Sequence, residues 1–125
     1  MVKPLREIRS RTEAKVLKDR VIRSLGRLDK FELLVSKSML HHHCRYAEVD
    51  FEEQVIIFNP TKNTLEEFPF SVLHELIHVM YHDAQERTVE RIEALFRPLV
   101  TRRDIEIIMA YTVPRLNWED WNNGT

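Results

Sequence analysis

Residues 71–82 read SVLHELIHVMYH and constrain this chain more than any other segment. Val72, Leu73, Leu76, Ile77, Val79 and Met80 recur as they would on a buried helix, yet two imidazoles interrupt them. His74 and His78 stand four residues apart, so on a helix both rings share one face and can reach one metal ion. Glu75 flanks that face, where a carboxylate can take a proton from water that such an ion activates. Pro69 is expected to open the helix and Ser71 to cap it. The plain alternative is a pair of part-buried core histidines beside a solvated glutamate. The apolar context running through the motif weighs against it.

A chain of 125 residues, 43% apolar and 31% charged, is sized for one compact domain, residues 1–125, and the mixture of helix and strand patterns along it makes the expected class α+β. Net charge is −1, which gives no pull toward nucleic acid or a membrane surface. The charge is uneven, however. Residues 1–30 carry ten Lys/Arg against four Asp/Glu, and the remainder nine against sixteen. A solvated face of an amphipathic helix accounts for the basic end better than an acidic partner does. The lone Cys44 excludes an intrachain disulfide. No apolar leader and no run of ~20 apolar residues is found, so a soluble cytoplasmic protein is expected.

Taken in order, residues 9–28 read as a helix with Val16, Leu17, Val21, Ile22, Leu25 and Leu28 on its apolar face, covering a sheet. Thr12 with Lys15 is a weak start signal. Residues 31–35 suit a strand, and 46–49 with 54–58 suit a hairpin. Between them lie His41, His42, His43 and Cys44. On an extended strand only His41 with His43, or His42 with Cys44, could share an ion. A polar loop or edge strand at a cleft rim is the simpler expectation. Asp83 to Glu86 has the form of a capping box opening a second helix that runs to about Leu99. Thr101 to Asp104 suggests the cap of a third helix, which Pro114 ends. Trp118 and Trp121 leave a tail that packs back or faces a partner.

A catalytic zinc ion usually takes three protein ligands. His82 shares the face of His74 and His78, but eight residues of regular helix put ~12 Å of rise between His74 and His82. Zinc–nitrogen bonds of ~2.1 Å do not span that, so His82 requires a break after Met80. As an alternative role, His82, Tyr81 or Tyr111 can stabilise an oxyanion. The following helix offers Glu86, Glu90 and Glu93. Returning antiparallel, it brings Glu86 or Glu90 to the level of His78, and spacing leaves those two open. Capping is the plain role for Glu86, pairing with Arg87 or Arg91 for Glu90, and a rim carboxylate for Glu93.

An H-E-x-x-H pair on a buried helix is the arrangement of the zincin metallopeptidases. From about Asp50 to Val100 the sequence resembles small phage- and prophage-encoded metallopeptidases related to the ImmA/IrrE gluzincins. The matching residues are Leu73-His74-Glu75-Leu76-Ile77-His78 and Glu86-Arg87-Thr88-Val89-Glu90-Arg91-Ile92-Glu93-Ala94-Leu95. The resemblance implies a zincin-like fold, with a small antiparallel or mixed sheet packed against the N-terminal and H-E-x-x-H helices. It places the zinc site on His74, His78 and Glu86 and the general base on Glu75. Two departures stand out: the loop between the helices is shorter, and Glu93 replaces a small residue.

The expected activity is zinc-dependent hydrolysis of a protein or peptide. By the same resemblance, the target is a repressor or other regulator of a mobile element. Two other classes stay open. One is a zincin-fold binding module without activity, against which an intact Glu75 speaks. The other is a zinc nuclease using His74, His78 and His82, which leaves Glu75 idle. No pattern in the chain speaks to oligomeric state.

Overall fold

Alternation along four short strands decides how the centre of this mixed α+β fold is filled. The computed structural model describes residues 4–42 and 44–118. Strands β1 (Glu32–Val35), β2 (Ala47–Asp50), β3 (Val55–Phe58) and β4 (Leu116–Trp118) form a mixed sheet in the order β2-β3-β1-β4. β2 and β3 are the expected antiparallel hairpin, while β1 runs parallel to both β3 and β4. The Asp50 carboxylate accepts the amides of Glu52 and Glu53, and Gln54 takes a left-handed φ of 53° to close the turn. Successive side chains on a strand face opposite ways. Leu33, Val35, Ile56 and Phe58 therefore enter the main core, and Leu34 and Ile57 meet Leu40 on the other face.

The helices are α1 (Arg11–Arg23), α2 (Phe68–Met80), α3 (Glu86–Phe96) and α4 (Arg102–Thr112). α1 is shorter than the apolar spacing predicts. Ser10, not Thr12, caps it through a reciprocal box with Glu13, and residues Leu25–Lys30 tighten into a 3₁₀ turn. Nor does α1 cover the sheet. It packs chiefly on α2, α3 and α4, because α2 already lies along β2 and the following apolar faces close over Ala14, Leu17 and Val21. Val16, expected in the core, is 62% exposed.

Two further expectations about caps are corrected. α2 starts ahead of Ser71, at Phe68, because Pro69 fits the first turn, where its missing N–H has no partner to lose. Ser71 is buried and its hydroxyl bonds the Asn63 side-chain oxygen at 2.6 Å. The Asp83–Glu86 capping box does not form: Gln85 is the N-cap without a side-chain bond, and the Glu86 carboxylate turns elsewhere. Thr101 and Asp104 do form a capping box on α4. The chain then adds β4 to the far edge of the sheet, with Trp118 exposed; Trp121 lies outside the described residues.

Side chains brace the helices. Buried Lys18 on α1 sits 2.7 Å from Asp104 on α4 and 2.7 Å from Asp19. Arg91, a candidate partner for Glu90, instead donates to the carbonyls of Leu5 and Ile8 at 3.0 and 2.7 Å. Among the described residues no helix is long and apolar enough to cross a membrane.

Candidate metal centre

Helix α2 buries Val72, Leu73, Leu76 and Ile77 completely or nearly so, which turns the His74–His78 face toward α3. The two rings stand with centroids 5.0 Å apart. Between their tips lies the Glu86 carboxylate, at the first turn of α3. Its Oε1 is 2.6 Å from His74 Nε2 and its Oε2 is 2.8 Å from His78 Nε2. The tight connection after Met80 reverses the chain so that Glu86, rather than Glu90, meets the imidazoles. Glu90 lines the same cleft but is not in the ligand group.

His74, His78 and Glu86 each offer a ligand atom, and these lie within 4.8 Å of one another. Tetrahedral ligands on zinc stand ~3.4 Å apart when the bonds are ~2.1 Å long. The donor set of two imidazoles and one carboxylate therefore fits that ion, given a withdrawal of the carboxylate on the order of 1 Å. His74 is held at both nitrogens, since its Nδ1 lies 2.8 Å from Glu93 Oε1.

Glu75 is only 4% exposed, and its Oε2 lies 3.9 Å from His74 Nε2. Burial raises its pKa to about 7, against the opposing pull of His74 and His78. Burial disfavours a charge on His74, but bonds to Glu86 and Glu93 and the charge of Glu75 outweigh it, pushing its pKa up to about 10. The same bonds from His74 and His78 hold Glu86 far below the usual carboxylate range. These are the signs of carboxylates in want of positive charge. A divalent ion would supply it on binding.

The other candidates fall outside the cluster. α2 does end at Met80, with Tyr81 out of helical conformation, which is the break that His82 required. His82 nevertheless packs at 5.5 Å from the Phe51 ring and is exposed. Tyr81 packs against the core, and the Tyr111 hydroxyl donates to Asp29 beneath a stacked Arg115. None of these three lines the cleft. His41 and His42 do line it, in a loop rather than a strand, with their backbone N–H groups bonded to the carboxylate of Glu48 at 3.1 and 2.6 Å. Cys44 is exposed, His43 lies outside the described residues, and no second metal cluster occurs among the described residues.

Sequence reasoning passed over Arg45, Tyr46 and Arg97. Two adjoining hollows share Arg45, Ala47, Glu75 and Glu86, so the cleft passes the imidazoles along β2. The charge of Arg45 is felt at Glu75. Only the tyrosine and the two arginines themselves, without spacing to a motif, could have flagged these positions.

No protein-family model, curated protein or solved structure matches this chain. The site stands on its own geometry.

Proposed function

We propose that this chain is a zinc-dependent metallopeptidase of zincin-like fold that hydrolyses peptide bonds. The observation that carries the reading is the Glu86 carboxylate set against Nε2 of both His74 and His78, beside a buried Glu75. A structural site has no use for a base at that position. When bound, zinc supplies Lewis acidity that activates water and polarises the scissile carbonyl. His74, His78 and Glu86 would hold the ion. Glu75, buried with its carboxylate beside the His74 ring, takes the proton from the attacking water and delivers it to the leaving amine. Arg45 faces the cleft, where a guanidinium can steady the developing oxyanion.

An extended substrate is accommodated along β2, the edge strand beside α2, by adding a strand. The resemblance to phage-type ImmA/IrrE relatives belongs to the same reading, with a regulator of a mobile element as the target class. The test is zinc analysis of wild type and Glu75→Gln, with cleavage of an unfolded polypeptide followed in parallel. The variant is expected to keep about one zinc per chain, as a catalytic site binds it, and to lose turnover. Wild-type cleavage rates in Glu75→Gln would exclude this mechanism.

A further inference from the structure

Glu93 has no part in an H-E-x-x-H mechanism, yet it is tied into the centre more tightly than a rim carboxylate would be. One oxygen, Oε1, lies 2.8 Å from Nδ1 of His74. The other accepts Nε and Nη2 of Arg97 at 3.1 and 3.0 Å. Arg97 is itself immobilised, 2.9 Å from Glu67 and 4.3 Å above the Phe70 ring. Glu67 and Phe70 belong to the start of α2. A continuous chain of contacts thus runs from the first turn of α2, across to the end of α3, and back onto the His74 ring.

A neutral imidazole exists as two tautomers, and only the one protonated at Nδ1 offers an Nε2 lone pair to an ion. A carboxylate on Nδ1–H selects that tautomer, fixes the ring plane and makes Nε2 more basic. Among the described residues no carboxylate stands on Nδ1 of His78. The two imidazoles are therefore unequal, and His74 is the ligand set in advance.

We propose that Glu93, held by Arg97, is the positioning residue of the metal centre, orienting His74 through Nδ1. This rests on the zinc reading above and deepens it. The experiment measures zinc affinity by competition with a chelator for wild type, Glu93→Ala, Glu93→Gln and Glu90→Gln. The Nδ1 proton of His74 is followed by NMR in the zinc-loaded proteins.

Glu93→Ala is expected to bind zinc roughly 10–100-fold more weakly, the usual cost of losing such a partner, and to lose the slowly exchanging Nδ1 proton. Glu93→Gln, whose amide oxygen still accepts from Nδ1–H, should regain part of the affinity and of the proton signal. Glu90→Gln, which removes a charge from the same cleft without touching an imidazole, should leave affinity unchanged. Wild-type affinity in Glu93→Ala overturns the proposal, as does an equal loss in Glu90→Gln, which would mark a general charge effect. A wild type that binds no zinc fails differently, because it removes the centre itself.

Discussion

Two clusters of charged side chains tie helices together in this protein, and they solve the same electrostatic problem differently. In the first, Lys18 brings its own permanent cation to Asp19 and Asp104, 2.7 Å from each. Its ammonium is almost wholly shielded from solvent, and every charge has a partner inside the chain. In the second, Glu75, Glu86 and Glu93 crowd two imidazoles, and Arg97 answers only one of the three carboxylates. Burial drives Glu75 up to about 7; it disfavours a charge on His74, but the bonds to Glu86 and Glu93 and the charge of Glu75 overcome it and push that ring up to about 10. The first cluster is closed and lies between α1 and α4. The second lines a cleft in which carboxylates outnumber the two arginines, Arg45 and Arg97. Charge balanced from within makes a brace; carboxylates short of positive charge beside a cleft make a place for a ligand.

The sharpest way to break this contrast is at Glu86. Glu86→Ala should abolish stoichiometric zinc binding, while Glu90→Ala, measured by the same metal analysis, should retain it. Loss of zinc in Glu90→Ala alone would reverse the assignment of the third ligand. Because the Glu86 side chain is 45% exposed, the metal-free variant should lose no more than ~1 kcal/mol of stability.

The brace should respond in the opposite way. Lys18→Ala strands Asp104 against α1 and is expected to cost ~3 kcal/mol in denaturant unfolding, with zinc binding unaffected. Lys18→Met, which keeps the packed stem, should cost less. Equal destabilisation by Lys18→Ala and Glu86→Ala would erase the distinction between brace and ligand site.

A smaller effect lies in the pH dependence. The Lys18 hydrogen bond holds Asp19 below the ordinary carboxylate range, and burial pushes Asp104 up but is outweighed by Lys18 and Thr101. A depressed carboxylate stabilises the fold above its unfolded pKa of ~3.9 and loses that contribution as pH falls through its folded value. Burial disfavours the Lys18 charge, yet the two aspartates raise its pKa, so its share is complete below ~10.4 and fades only above that. The stability gap between wild type and Lys18→Met should therefore be flat from about pH 5 to 10 and shrink below about pH 4. An undiminished gap at pH 3 would show that the aspartates do not titrate with the pair.

Local periodicity determined a good deal here. Four-residue spacing puts His74 and His78 on one face of α2, and the apolar residues around them bury the rest of that helix, whatever packs beside it. The β2–β3 hairpin and the Thr101–Asp104 capping box are legible for the same reason, since each is decided by residues close in sequence. Tertiary structure decided the remainder. Spacing left Glu86 and Glu90 open; the direction of chain reversal after Met80 brings Glu86 to both imidazoles, and that same contact draws Glu86 out of the cap its sequence predicts. Val16 lies outside the core and α1 lies off the sheet because other helices fill the space that periodicity alone would assign to it. The roles of Glu93 and Arg97 depend on a chain of contacts from Glu67 to His74 that spans two helices. Helical period is a property of neighbours along the chain, whereas meeting across a cleft depends on how whole elements pack, which no single segment encodes.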